Sequence, residues 1–179
     1  MVFSLIKRHV SRNSFRYPAG KLPRIAILVD WFYLPKFRLG RNDQVRVFAE
    51  VDEAARFKPE AIAATPELLL NLNRALFPNE LRALISLTKN GDRLLTVSER
   101  DQLWRRFHVP IFEQIVGLRG ELLAMECDAH DGLHVHTEGW RPDDAYHIDH
   151  SACACGLKQP RLFSPRIPER IVAVAAYAR

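Results

Sequence analysis

The chain has 179 residues, 47% of them apolar and 26% charged, enough to bury a core as one domain or as one domain with an appended small lobe. No apolar run approaches the roughly 20 residues that span a bilayer, and the N-terminus has neither the apolar stretch nor the cleavage site of a signal peptide, so a cytoplasmic chain with no membrane partner is expected. The net charge of +5 is uneven: residues 1–48 hold ten Lys or Arg against Asp30 and Asp43, a local +8 that could meet nucleic acid, an acidic partner or a phosphate-bearing ligand but reads first as a solvated basic face, with no tandem finger or recognition helix to point to nucleic acid.

Residues 1–23 form the basic arm, whose first twenty are turn-rich and expected to be loosely held. Arg24 to Asp30 is a continuous apolar run suited to a buried strand. Trp31 to Leu39 is dense in aromatics, and Gly40 to Asp43 reads as a turn before Val45 to Phe48. A short helix over Asp52 to Phe57 and a strand over Ala61 to Ala64 follow. Thr65 then caps a helix with Pro66 in its first turn and Leu68, Leu69, Leu72 and Leu76 along one stripe.

Leu81 to Leu87 is the next strand, Ser98 and Asp101 resemble a capping box for a helix to about Phe107, and Val109 to Val116 returns as a strand. Strand, helix, strand, helix, strand is the rhythm of a parallel sheet. The expected fold is therefore α/β, a mostly parallel sheet flanked by helices over residues 24–120. A small zinc-bound hairpin lobe near the C-terminus and a segment at Ile171 to Tyr177 complete residues 121–179.

All three cysteines and five of the seven histidines fall between Cys127 and Cys155. Cys127 with His134, closed by Cys153 and Cys155 in a Cys-x-Cys-Gly run, offers three thiolates and an imidazole, the soft set that favours structural zinc. A disulfide framework would want an even count, and cysteines one residue apart are awkward partners. Inert buried thiols would leave Gly156 and the histidines unexplained.

Glu121 to Cys127 reads as a strand, Asp131-Gly132 as a turn and Leu133 to Thr137 as the returning strand, with His134 and His136 on one face. Extended chain at 153–155 would aim both thiols the same way. His130 is the nearest substitute for His134. A different reading takes His134 and His136 with His147 or His150 as an enzyme's metal site with an open position for water, but three neighbouring thiols argue for a closed structural site.

Between about Phe57 and Leu162 a family resemblance emerges. "RFKPEAIAATPELLLNL", "LRALISLTKNGDRLLTVSERDQLWRRFHVPIFEQIVG", "ECDAHDGLH" and "CACGLKQPRL" resemble, in order and approximate spacing, successive segments of phenylacetate-CoA ligase-like adenylate-forming enzymes. The last two resemble the Glu-Cys, Gly-Leu-His and Cys-x-Cys-Gly-Arg segments associated with zinc in that family. The resemblance implies ATP- and Mg-dependent activation of a carboxylic acid, usually followed by transfer to coenzyme A. It implies Gly91, Asp92, Val116 and Gly117 as cofactor-binding positions.

The chain departs from that pattern where the chemistry is most demanding. No Ser/Thr- and Gly-rich loop is available to hold a triphosphate, Asn90-Gly91-Asp92 stands for Gly-Gly-Glu, and Val116 to Gly120 lacks both the aromatic and the Thr-Glu pair, Glu121 falling one residue late. The stretch "TEGWRPDDAYHIDHSA" has Asp143, Asp144 and Asp149 without the motif that grips a ribose, and no counterpart of the C-terminal domain and its Lys is expected. The expected function is a reduced, zinc-stabilised member of the family acting as a binding or partner module, with ATP and Mg doubtful cofactors. Its ligand would be an adenylate or aryl acid held weakly, or its partner another protein or a second copy, docked through the leucine-rich surfaces and Trp31 to Phe37. The alternatives are the histidine-based metal enzyme and a CoA ligase completed by another chain.

Overall fold

The computed structural model describes residues 15–28, 43–77, 80–118, 120–142 and 146–163. Trp31 to Leu39, Asp143, Asp144 and Ile171 to Tyr177 lie outside the described residues, as does most of the basic arm. Among the described residues nine strands form one sheet in the order β2-β1-β3-β4-β5-β6-β7-β9-β8. They are β1 (Ile25–Leu28), β2 (Val45–Phe48), β3 (Ala61–Ala64), β4 (Ala83–Lys89), β5 (Ile111–Val116), β6 (Leu122–Glu126), β7 (Leu133–Val135), β8 (His147–Asp149) and β9 (Arg161–Phe163). Three helices, α1 (Val51–Arg56), α2 (Pro66–Asn71) and α3 (Val97–Phe107), supply crossovers between parallel strands.

The parallel half follows from the apolar runs. IAIL, AIAA and ALISLT are buried on both faces, so alternate residues feed two cores. Ala26, Leu28, Ile62, Ala64 and Leu84 pack with Leu69, Leu103 and Phe107 of the helices, while Ile25, Ile27, Ala63 and Ile85 pack with Phe15 on the opposite face. Burying each such Leu or Ile stabilises by roughly 1.5–3 kcal/mol.

After β5 the direction changes. Gly117 to Gly120 makes a tight reversal in which Gly120 N–H donates to the Gly117 carbonyl, and the connection is too short for a helix. Strands β5 to β8 therefore pair antiparallel. The sheet is mixed rather than mostly parallel, and the cysteine-bearing segment continues it. Strands β8 and β9 carry no periodic apolar signal long enough to read from sequence; their pairing defines them.

Two helices correct the sequence expectation at their ends. The Thr65 hydroxyl accepts from Leu68 N–H as expected, but α2 stops at Asn71. Asn73 then caps a 3-10 turn at Arg74–Leu76, which leaves Leu76 39% exposed and off the stripe. Helix α3 starts at a Thr96 and Glu99 capping box, with Ser98 and Asp101 inside it. Glu99 wins because its carboxylate accepts from Thr96 N–H at 2.8 Å and also pairs with Arg93 at 2.6 Å. No helix among the described residues is long and apolar enough to cross a membrane.

Thr96→Ala is expected to destabilise the fold by about 1 kcal/mol, the typical worth of an N-cap. Asp101→Ala should stay within about 0.5 kcal/mol of wild type, as surface changes do. Urea denaturation of both variants checks this, and equal losses would contradict the assigned cap.

Candidate metal centre

Cys127 follows β6 directly, and the chain turns back through His130, at φ 50°, and Gly132, at φ 77°. Only glycine fits at 132, because a Cβ there would come within 2.9 Å of the Leu162 carbonyl oxygen, on top of the unfavourable φ. The hairpin register sets His134 opposite Met125 on β7, where the imidazole is fully buried. From the far side the Cys153–Gly156 turn brings the other two thiols: Gly156 N–H donates to the Cys153 carbonyl at 3.0 Å with Gly156 at φ 81°. A turn, rather than extended chain, aims Cys153 and Cys155 together.

Cys127, His134, Cys153 and Cys155 present ligand atoms that all lie within 4.8 Å of one another. The Cys127 and Cys153 sulfurs are 3.7 Å apart, and Cys155 Sγ is 3.3 Å from His134 Nε2. Thiolates about 2.3 Å from a tetrahedral zinc would stand about 3.8 Å apart, so the spacing fits such an ion. All three cysteines are free thiols.

The surroundings suit coordination. His134 Nδ1 lies 3.2 Å from the Gln159 carbonyl oxygen, to which it donates in the tautomer that leaves Nε2 bare toward the sulfurs. Leu157 N–H donates to Cys155 Sγ at 3.5 Å. Burial pushes the Cys127 thiol up to about 12, whereas the backbone N–H of Cys155 foremost draws Cys153 down to about 7. These four residues could hold a metal ion, and the donor set is one that zinc fits.

The other histidines are engaged elsewhere or stand apart. His130 Nδ1 is 3.0 Å from Glu126 Oε1, and its ring stacks on Phe112 with centroids 4.6 Å apart. It is no substitute for His134. His136 does not join the group, and burial first, then the charges of Arg16 and His134, lower it to about 4. His147 and His150 are exposed. The convergent set that a histidine-based enzyme would need is not formed among the described residues.

A network of buried ions ties this hairpin to α3. Arg100 donates to Glu113 at 3.1 Å, to Glu126 at 2.9 Å and to the Ile111 carbonyl at 2.8 Å. Glu113 also accepts from Leu95 N–H at 2.7 Å, and Glu126 from Glu113 N–H at 3.0 Å. Nothing in the local sequence pattern marks the two glutamates as partners; they are two residues from different strands that meet under one guanidinium.

Of the positions implied by the family resemblance, Gly91 and Asp92 line a pocket of about 280 Å³ with Asn90, Ile115, Trp140 and Tyr146. Val116 and Gly117 do not line it. Val116 packs into the core with Phe112, and the Glu121 carboxyl group folds over Gly117 so closely that a Cβ there would collide with it. The pairing of β5 with β6 is irregular at Ile115 and Val116, the bulge that brings Glu121 back beside Gly117. The aromatic wall of the pocket comes from Trp140 and Tyr146, which sequence reasoning missed; their only signal was two aromatics in an otherwise polar stretch.

No protein-family model matches the chain, and no curated protein does. Among solved structures it is similar to an open conformation of 2-hydroxyisobutyryl-CoA ligase in complex with 2-HIB-AMP and CoA. The identity is 11% and the TM-score 0.52, over 80% of this chain and 44% of that one. A benzoate CoA ligase from Burkholderia xenovorans LB400 overlaps more loosely, at 14% identity and a TM-score of 0.39, over 75% of this chain and 30% of that one. The relationship is one of fold, adenylate-forming-like, and the chain spans less than half the length of the first ligase.

The ion network predicts a pH dependence. Burial, opposed by Leu95 N–H and Arg100, raises the Glu113 carboxyl to about 7. The folded chain then holds a proton that the unfolded chain has released between about 4.5 and 7, so this residue's contribution to stability falls as pH rises through that window. Relative to Glu113→Gln, wild type should lose on the order of 2 kcal/mol between pH 5 and pH 8. Denaturant titrations at the two pH values measure the difference, and parallel behaviour of both proteins would refute it.

Proposed function

We propose that the chain is a reduced member of the adenylate-forming, acyl- and aryl-CoA ligase-like family, acting as a zinc-stabilised binding or partner module without full carboxylate-activating activity. The observation that carries this reading is the convergence of Cys127, His134, Cys153 and Cys155 within a sheet related in fold to a CoA ligase. Bound there, zinc would supply a four-way cross-link and no reactive position, since four protein ligands close its tetrahedron. Cys127 and His134 would hold it from the β6–β7 hairpin, and Cys153 and Cys155 from the turn before β9. A reducing compartment such as the cytoplasm would keep these thiols available.

The loss of activation chemistry follows from what the residues between Asn90 and Cys155 lack. Carboxylate activation needs donors arrayed on a triphosphate and an acid placing magnesium; here Asp92 remains at the pocket while Glu121 lies against Gly117. The pocket lined by Gly91, Asp92, Trp140, Arg141 and Tyr146 would take adenosine or an aryl acid weakly, with aromatic faces and one cation but no array of backbone donors for a triphosphate. A second reading, part of a ligase site completed by another chain, is favoured by one observation: the chain accounts for 44% of the ligase it overlaps.

Purified protein is expected to contain one zinc per chain, and Cys153→Ser or Cys155→Ser to abolish it. Structural zinc in small peptides is worth roughly 10 to 16 kcal/mol, comparable with the roughly 5 to 15 kcal/mol that holds a whole domain, so chelation should lower the melting temperature sharply. Stoichiometric zinc removal with unchanged melting would overturn the structural role.

Carboxylate-dependent pyrophosphate exchange by the isolated chain is expected to stay at background across a panel of aryl and fatty acids. Robust exchange that Asp92→Ala abolishes would instead establish an active adenylation site.

A further inference from the structure

We propose that Arg161 is a positioning residue of the metal centre, holding its two ligand-bearing segments at coordination distance; the inference rests on reading Cys127, His134, Cys153 and Cys155 as the ligands. Arg161 is 4% exposed and opens β9, where it pairs across the sheet with His134 of β7 on one side and Asp149 of β8 on the other. One arm of its guanidinium donates to the Asp131 carboxylate and, at 3.2 Å, to the Asp131 carbonyl. The other donates to the Asp149 carboxylate and, at 2.8 Å, to the Ser151 hydroxyl.

These partners are placed tellingly along the chain. Asp131 lies in the turn between Cys127 and His134, and Asp149 and Ser151 lie just ahead of Cys153. Asp149 in turn accepts from Ser151 N–H at 2.8 Å and from its hydroxyl at 2.7 Å, which fixes the approach to the Cys153 turn. One cation thus joins the hairpin that brings Cys127 and His134 to the turn that brings Cys153 and Cys155. Two residues earlier on the same segment, the Gln159 carbonyl accepts from His134 and sets its tautomer.

The physics favours a preorganising role. Without Arg161 the carboxylates of Asp131 and Asp149 would face one another uncompensated, and their repulsion would spread the two segments apart. Metal binding would then have to close that gap at the expense of affinity. The fork geometry matters as well: two arms of a guanidinium can serve two carboxylates and a hydroxyl at once, whereas one lysine ammonium cannot span them.

Cobalt(II) titration of the full chain, in competition with a chromophoric chelator, tests the assignment. Arg161→Met is expected to weaken cobalt binding roughly 10- to 100-fold, the range for removing a partner that orients a metal ligand. The thiolate-to-cobalt absorption should keep its wild-type shape and intensity, because the ligand set is unchanged. Arg161→Lys should recover only part of the loss, and Asp149→Asn should weaken binding several-fold. Thr65→Ala, which removes the N-cap of α2 and no contact of Arg161 or of the four ligands, should bind as wild type does.

If Arg161→Met fails to fold, Arg161→Lys and Asp149→Asn carry the test; wild-type affinity in both would overturn the proposal. An altered spectrum, showing a changed ligand set, would overturn it too. Should wild type itself bind neither cobalt nor zinc, the metal reading falls. Should wild type bind and the variants match it, only the role of Arg161 falls.

Discussion

A fully buried imidazole has to account for both of its ring nitrogens, and in this chain that constraint shapes the whole antiparallel end of the sheet. His134 gives its Nδ1 proton to the Gln159 carbonyl and turns Nε2 toward the sulfur of Cys155. Each contact requires a segment distant in sequence to lie alongside β7, and β9 and the Cys153 turn are the segments that do. Moving β9 by one residue would exchange inward and outward faces, taking Arg161 away from Asp131 and Gln159 away from the imidazole. The short strands β7, β8 and β9 are thus fixed less by their own propensity than by the groups they must satisfy.

The parallel half is governed by a different physics. There the strands are apolar on both faces and the helices pack on one side; Arg100, Glu113 and Glu126 form one polar network, and Ser86, Thr88 and Gln114 are buried outside it. Glu126 is the hinge between the two regimes, because it receives Arg100 from the helical layer and immediately precedes Cys127. The sheet thereby ties a hydrophobic α/β layer to a polar, cysteine-bearing edge. Removing one member of such a buried ionic set leaves the others desolvated and unpaired, a larger loss than the set's own net worth.

The likeness to a CoA ligase and the departures from it fall on the same frame. The turn at Asn90 to Asp92 lines a pocket, while the Glu121 side chain fills the space beside Gly117. Trp140 and Tyr146 furnish aromatic surface from the segment between β7 and β8. The pocket thus joins aromatic surface to the charged residues Asp92 and Arg141.

The amino-acid sequence determined the elements whose signals are local. Apolar runs at Ile25 to Leu28 and Ala61 to Ala64, the Thr65-Pro66 helix start and the turn at Asp131-Gly132 can be read within a few residues, because burial on two faces, capping and left-handed backbone are properties of short stretches. The candidate metal ligands Cys127, His134, Cys153 and Cys155 stood out for a related reason, since thiolates and an imidazole crowded into one short stretch are a donor set that suits a metal ion. Local signals misled at the start of α3, read at Ser98 and Asp101, where the ion pair with Arg93 instead favours Glu99 and its box with Thr96. Only the tertiary structure decided that the sheet turns antiparallel after β5, that His130 serves Glu126 rather than the sulfurs, and that Arg161 joins Asp131 to Asp149. The reversal after β5 follows from a connection too short for a crossover helix, whereas the pairing of Arg161 with Asp131 joins side chains thirty residues apart, a meeting that no periodicity or composition encodes.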